Sequence, residues 1–170
     1  NSSVFLNTAE VGAGVVNSGT LALTNSTVSQ NAATVAGGGL SLFGAATLRN
    51  SILADNTAGF GPDCSTAPVL IGPNLIENTA GCTPSGSPPI TGDPLLGPLG
   101  QYGGAPPTRP LLPGSPALNA GDATVCASAP VGGVDQRGVA RPQGPGCDLG
   151  AFETEPVGGK NLKITTNSID

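Results

Sequence analysis

The sequence predicts an all-β fold, a right-handed parallel β-helix (a solenoid) with about 25 residues in each coil. The first observation is a repeat. Asn25-Ser26-Thr27-Val28 recurs 25 positions later as Asn50-Ser51-Ile52-Leu53. Asn1-Ser2-Ser3-Val4 lies 24 positions before the first of these segments, and Asn74-Leu75-Ile76 lies 24 positions after the second. Self-similarity at such a period is typical of stacked supersecondary units.

The second observation identifies the repeated unit. Short segments such as Thr20-Leu21-Ala22-Leu23-Thr24 and Leu40-Ser41-Leu42 alternate apolar and small polar residues, as strands with one inward face do. Gly, Asn and Ser lie between these segments, where tight bends need them. No repeat contains a helical apolar stripe, which excludes leucine-rich, ankyrin and tetratricopeptide repeats.

Two series of asparagines support coil stacking. One begins each repeat, and the other contains Asn7, Asn31 and Asn56, with Asn78 as a candidate fourth member. Asparagine tolerates unusual backbone angles at a bend and forms hydrogen bonds to its copy in the next coil. We therefore expect asparagine ladders that run along the solenoid.

The chain divides into three parts in order. Residues 1–82 are predicted to form the coils, and residues 83–155 a Pro/Gly-rich wrap and C-terminal cap of the same domain. The many prolines of the second part disfavour both helices and central strands. Residues 156–170 are interpreted as a linker followed by an extended C-terminal strand, because Pro156-Val157-Gly158-Gly159 is typical of flexible connections.

Composition excludes several classes of function. The net charge is −5 and the six Lys and Arg residues are scattered, which argues against nucleic-acid binding. The chain contains no His, the commonest metal ligand and general base, and we expect no cofactor or metal. No apolar run is long enough to span a membrane, so we expect no membrane insertion.

Four cysteines indicate two disulfides and an oxidising location. Cys64, Cys82, Cys126 and Cys147 show no metal-binding spacing, and an even count allows three pairings. We favour Cys64–Cys82 with Cys126–Cys147, because each bridge would close a Pro/Gly-rich loop that has little regular structure. The prediction is an extracellular or cell-surface protein.

Motifs in the second half resemble a known family. They occur in a fixed order and are Gly92-Asp93-Pro94-Leu95-Leu96-Gly97-Pro98-Leu99, Leu111-Leu112-Pro113-Gly114-Ser115-Pro116-Ala117, Asp135-Gln136-Arg137-Gly138 with Arg141-Pro142, and Cys147-Asp148-Leu149-Gly150-Ala151-Phe152-Glu153. Together they resemble the choice-of-anchor Q family, over roughly residues 20–153. The resemblance implies a bacterial surface or secreted protein, a pectin-lyase-like right-handed β-helix, and no assigned enzymatic activity.

The two ends of the chain suggest self-assembly. The first coil begins in the middle of its motif, so we expect an exposed edge there. The segment after Gly159 resembles a coil strand, with alternating apolar residues followed by Asn167-Ser168-Ile169. We predict head-to-tail strand donation into a filament. The predicted interface residues are Leu162, Ile164 and Ile169 of the donor with Val4, Leu21 and Leu23 of the acceptor.

Two carboxylates are candidate catalytic groups. Asp55 and Glu77 each precede an asparagine of the second series, so neighbouring coils would bring them together as a glycosidase pair or a calcium site. The alternative, which we favour, is a pair of exposed bend residues, and we expect no enzymatic activity.

A second set of charged residues is expected to form structural ion pairs and backbone hydrogen bonds: Asp135, Arg137, Arg141 and Asp148.

Two other functions compete with the filament subunit. One is a protein that binds or cleaves carbohydrate, with surface polysaccharide as partner, and the other is a fragment of a larger surface adhesin.

Overall fold

The computed structural model describes residues 1–155, which contain twelve strands and one short helix. The strands are short because each side of a coil turns after a few residues. Their bounds are β1 Ser2–Phe5, β2 Thr8–Val11, β3 Val15–Asn17, β4 Thr20–Thr24, β5 Ser26–Ser29, β6 Ala32–Ala36, β7 Leu40–Leu42, β8 Ala45–Arg49, β9 Ile52–Ala54, β10 Val69–Leu70, β11 Leu75–Ile76 and β12 Ser85–Gly86, and the helix is α1 Ala123–Ala127.

The strands stack as a parallel β-solenoid of about three turns, as predicted. β1–β4 form the first coil and β5–β8 the second, and every pair of named strands is parallel. Two four-stranded sheets run the length of the solenoid, with the orders β1-β5-β9-β11 and β12-β10-β8-β4. Two shorter sheets pair β2 with β6 and β3 with β7.

Stacked aliphatic side chains fill the interior of the solenoid. Val4, Val28, Leu53 and Ile76 lie in one column, and successive members are 24, 25 and 23 residues apart in sequence. Each is the inward residue of its strand. The interior is narrow, so it closes with Val, Leu, Ile and Ala, which explains how a chain with 3% aromatic residues buries a core.

The second half of the chain packs against the side of the solenoid. We call residues 94–155 the side layer. It covers the outer face of the β1-β5-β9-β11 sheet through a second apolar cluster that contains Ile52, Ala54, Leu75, Leu111, Ala117 and Leu149. Backbone contacts hold it there, since Gly150 N–H donates to the Asn50 carbonyl at 2.7 Å. β5, β9 and β11 are therefore buried along their length, and β9 and β11 are apolar on both faces.

Both predicted disulfides are present. Cys64–Cys82 joins the third coil to the loop that follows β11, and Cys126–Cys147 joins α1 to a later part of the side layer. The bridges close loops with sequence separations of 18 and 21 residues. Such cross-links lower the entropy of the unfolded chain, which stabilises the folded state by about 3 kcal/mol for loops of this size.

The two asparagine series have different roles. Asn25 and Asn50 adopt left-handed backbone angles, with φ of 45° and 47°, at the corner before β5 and β9. Their side chains point toward the side layer, where the Asn50 amide donates to the Asp122 carbonyl at 3.1 Å. The expectation that both series form ladders is therefore correct only for the Asn7 series. In the first series, Asn1, Asn25 and Asn50 contact the side layer, whereas Asn74 Oδ1 accepts the Ser51 N–H of the preceding coil at 2.9 Å.

Candidate functional site

A ladder of side-chain amides crosses the coils and ends on a carboxylate. The Asn7 amide donates to Asn31 Oδ1 at 2.9 Å, Asn31 donates to Asn56 Oδ1 at 2.9 Å, and Asn56 donates to Asp63 Oδ1 at 2.8 Å. The prediction that Asn78 is the fourth member of this ladder is wrong. Asp63 occupies the stack position of Gly39 in the coil before it, so its carboxylate accepts the bond that a fourth asparagine would have accepted.

Asp63 is a buried carboxyl group with an altered acidity. It is 1% exposed, and its second oxygen accepts the Asn78 N–H at 2.8 Å. Burial raises the pKa of Asp63, hydrogen bonds from Asn56 and Asn78 offset part of this increase, and the nearby charge of Glu77 adds to it, which together give a pKa of about 6. Asp63 therefore changes protonation state in mildly acidic solution.

The Asp63 carboxylate faces a cleft between the solenoid and the side layer. The cleft has a volume of about 790 Å³ and is lined by four carboxylates, one guanidinium, three amides and one hydroxyl. The lining residues are Gln30, Asp55, Asn56, Thr57, Asp63, Glu77, Asn78, Gly92, Asp93 and Arg109. We call it the acidic cleft.

The structure brings Asp55 and Glu77 together in this cleft, as the sequence pattern predicts. Glu77 Oε2 accepts the Asp55 N–H at 2.7 Å, and Asp55 has a left-handed φ of 56°. The Asp55 carboxylate forms an ion pair with Arg109. Arg109 also donates to the carbonyls of Gly97 at 2.8 Å and Leu96 at 2.9 Å. Both carboxylates thus hold the fold together, with Arg109 joining the side layer to the third coil.

The acidic cleft contains no obvious metal site. Within residues 1–155, no group of three or more His, Cys, Asp or Glu residues is arranged to hold a metal ion. The cleft offers hydrogen-bond acceptors to a polar ligand, but the Asp55 carboxylate is already bound to Arg109. Sequence reasoning missed Arg109, because a local pattern does not show which distant segment packs against a coil, and missed Asp63, because the ladder there ends on a residue of a different type.

The second carboxylate and arginine set is structural. Asp135 pairs with Arg137 at 2.7 Å, and the partner of Arg141 is Glu153, at 2.9 Å, which the sequence did not reveal. The carboxylate oxygens of Asp148 accept backbone N–H groups from Asn119 and Thr154, each at 2.7 Å. Burial raises the pKa of Glu153 and lowers that of Arg141, while their mutual attraction opposes both changes. These contacts stabilise the irregular backbone of the side layer.

The first coil differs from every later coil in exposure. Leu23 is partly exposed, whereas its partner in register, Leu48, is fully buried. Val4 and Leu21 are likewise partly exposed, and Val4 pairs in register with the fully buried Val28. In the described part of the chain, β1–β4 each have one strand neighbour, and their other edges are free.

The donor residues predicted for this edge, Leu162, Ile164 and Ile169, lie outside the described residues. The same is true of the predicted linker that precedes them. Val4, Leu21 and Leu23, the residues predicted to accept this segment, lie in the first coil, and all three are partly buried against the solenoid core.

Comparisons with protein-family models, with curated proteins and with solved structures find no match. The resemblance to the choice-of-anchor Q family therefore stays a hypothesis, and the β-solenoid itself is the level at which the fold is established. Among residues 1–155, no helix has the length and apolar character required to cross a bilayer.

Proposed function

We propose that this chain is an extracellular structural protein, a subunit that assembles head-to-tail by strand donation and not an enzyme. The observation that carries the proposal is the partial exposure of the apolar side chains that the first coil directs inward. Val4, Leu21 and Leu23 are partly exposed there, whereas Val28, Ala46 and Leu48, their partners one coil later, are buried. The outer edge of such a coil is a template for another strand.

The residues of the proposed donor match the spacing of the coil interior. Leu21, Leu23 and Val28 are separated by two and five positions, as are Ala46, Leu48 and Leu53. Leu162, Ile164 and Ile169 repeat the same separations. Burying three such side chains would contribute roughly 4–8 kcal/mol before the cost of ordering the segment. One segment of a second copy therefore has the pattern that the edge requires.

The disulfides support an extracellular location. Two bridges that close long loops are typical of proteins that fold in oxidising compartments. The resemblance to the choice-of-anchor Q family supports a bacterial surface or secreted protein. A filament or fibre subunit fits that location, and head-to-tail contacts of one kind produce an open polymer unless they close into a ring.

The proposal is tested by assembly of the purified chain. Sedimentation and negative-stain electron microscopy of the full chain should show filaments, and a chain that ends at Glu155 should give uniform single particles. Leu162→Asp with Ile164→Asp should also abolish filaments, because two charges would enter an apolar interior. Lys163→Ser is the matched control and should assemble. Single particles from the full chain under all conditions would reject the proposal.

A fragment of a larger adhesin is the main competitor. In such a protein, upstream coils of the same chain would cover β1–β4. Intact mass spectrometry of the native protein distinguishes the two, because residues before Asn1 would supply the missing neighbour and remove the basis for strand donation.

The acidic cleft favours a second candidate, a protein that binds or cleaves carbohydrate. Cleavage would release reducing sugar from a polysaccharide, and Asp55→Asn should abolish it. Sugar release that is unchanged in this variant, or absent from the wild-type protein, would reject the enzymatic candidate.

A further inference from the structure

A second pocket, separate from the acidic cleft, lies where the solenoid meets α1. It has a volume of about 220 Å³ and is lined by one arginine, three hydroxyl side chains and three apolar residues. The lining found within residues 1–155 includes no carboxylate. Pockets that enclose a whole drug-sized ligand measure roughly 300–1,000 Å³, so this one fits a single unit of a larger molecule. We call it the arginine pocket.

The solenoid contributes one wall of the arginine pocket. Thr24 and Arg49 line it, and they are partners in register at the ends of β4 and β8. The preceding residues, Leu23 and Leu48, belong to or pack against the solenoid core. Because side chains alternate between the two faces of a strand, Thr24 and Arg49 point outward. Arg49 is exposed to solvent.

Arg49 differs from the other arginines of this part of the chain. Each of the other three forms an ion pair with a carboxylate: Arg109 with Asp55, Arg137 with Asp135 and Arg141 with Glu153. The Arg49 guanidinium forms no hydrogen bond and no ion pair with any residue that the structure describes. Its N–H donors are therefore available to a ligand.

The facing wall belongs to α1 and is held rigidly. Asp122 caps the helix by accepting the N–H groups of Thr124 at 2.7 Å and Val125 at 3.2 Å. The Asn50 side chain in turn holds the backbone N–H and carbonyl of Asp122, at 2.9 and 3.1 Å. A disulfide at Cys126 ties the helix to the rest of the side layer. A wall that is ordered before binding lowers the entropic cost of binding.

The pocket combines a cation with free hydroxyl groups. The hydroxyls of Thr24, Thr124 and Ser128 form no hydrogen bond within the described part of the chain. A guanidinium binds two oxygens of one anionic group through parallel hydrogen bonds, and hydroxyls both donate and accept. Val125 and Pro130 add apolar surface beside these groups. A sugar ring with one anionic substituent presents the complementary set, with hydroxyls, a charge and an apolar C–H face.

We infer that the arginine pocket binds an anionic unit of a polysaccharide, one that carries a carboxylate or a sulfate. Arg49 binds the anionic group, and the neighbouring hydroxyls bind those of the sugar. One cation suits one charge per sugar unit, whereas an acidic peptide would bring several charges to a chain whose own net charge is −5. The acidic cleft would repel the same ligand. The inference therefore concerns a different site from the cleft and is independent of the strand donation proposed above.

Isothermal titration calorimetry of the full chain at low ionic strength tests the inference. The probes are a hyaluronan tetrasaccharide with carboxylates, a dextran sulfate oligosaccharide, neutral maltotetraose and a tetra-aspartate peptide. We expect one or both of the anionic saccharides to bind and maltotetraose not to bind, and the saccharide that binds identifies the anionic group. Added salt should weaken the binding, because the charges meet at an exposed site.

Variants locate the binding. Arg49→Gln should weaken it by about tenfold or more, since hydrogen bonds between charged groups are lost. Asp122→Asn should tighten it, because a nearby negative charge is removed and Asn also caps a helix. Asp93→Asn, in the acidic cleft, is the matched control and should leave the affinity unchanged. Circular dichroism checks that each variant is folded.

Three outcomes would overturn the inference. They are no binding of either anionic saccharide, binding that Arg49→Gln leaves unchanged, and tighter binding of the peptide than of both saccharides. The last would assign the pocket to acidic protein segments. Filament formation should be the same in the wild-type chain and in Arg49→Gln, so failure of this inference would leave strand donation in place.

Discussion

The two ends of the solenoid are built from the same repeat but finish differently. At the far end, which contains β10 and β11, the side chains of Leu70, Ile76 and Cys82 are at most 2% exposed and belong to the solenoid core. The loop after β11 carries Cys82 into this core, and its disulfide to Cys64 holds it there. At the near end, β1–β4 keep full coil length and leave Val4, Leu21 and Leu23 half-covered.

The difference shows what is needed to close a repeat protein. Equivalent positions in the repeat give equivalent side chains, but burial depends on a neighbour on each side. The far end obtains its neighbour from a loop and a cross-link. The near end is built like an internal coil, so its inward apolar side chains are only partly buried.

The largest expected effect is at the closed end. Replacing Cys64 and Cys82 together by Ala should lower the free energy of unfolding by roughly 2–5 kcal/mol in urea denaturation. The matched control replaces Cys126 and Cys147, whose loop of 21 residues has nearly the same closure entropy as the loop of 18. We expect a smaller loss for the control, because it leaves the loop over the solenoid core in place. A larger loss in the control would contradict the closed-end interpretation.

The next comparison uses one substitution at two adjacent rungs. Leu48→Ala removes a fully buried side chain and should cost about 3 kcal/mol in thermal or urea unfolding. Leu23→Ala, its neighbour in register, should cost about half as much in the unassembled protein because Leu23 is partly exposed. Assembly should reverse the order, with filament formation lost in Leu23→Ala. Equal unfolding costs at both positions would show that the near end is not open.

The smallest effect concerns pH at the acidic cleft. The folded-state pKa of Asp63 is about 6, above its ordinary value of 3.8, so the folded protein binds this proton more tightly than the unfolded chain. Stability from Asp63 is fully present below pH 3.8 and is lost as the pH rises through about 6. The difference between pH 4 and pH 7 amounts to roughly 2 kcal/mol.

Urea denaturation at a series of pH values measures this effect. Asp63→Asn should flatten the pH dependence in this window, whereas Asp93→Asn, an exposed residue of the same cleft, should keep it. Glu153, whose pKa burial also raises, contributes with the same sign and stays in both variants. An unchanged slope in Asp63→Asn would show that Asp63 is not the group responsible.

Local spacing made the solenoid and its disulfides predictable. Repeats near 25 residues place Val4, Val28 and Leu53 in one column, since stacking needs only a constant step. The packing of the side layer was harder to predict from the sequence. Its prolines disfavour helices and central strands, but they do not indicate which surface the segment contacts. Its contacts, such as Arg109 with Asp55 and Arg141 with Glu153, join segments with no common period. The position of Asp63 at the end of the asparagine ladder was missed because the last member of the ladder is an aspartate and not an asparagine.

Hydrogen exchange at β4 tests the account most directly. Mass spectrometry would compare peptides covering β4, Thr20–Thr24, in the full chain at assembling concentration and in the chain that ends at Glu155. The account predicts slower exchange at β4 in the full chain, because a donated strand would pair its free edge, with little change at β8, which already has neighbours on both sides. Equal exchange at β4 in both samples would contradict the claim that the near end accepts a strand.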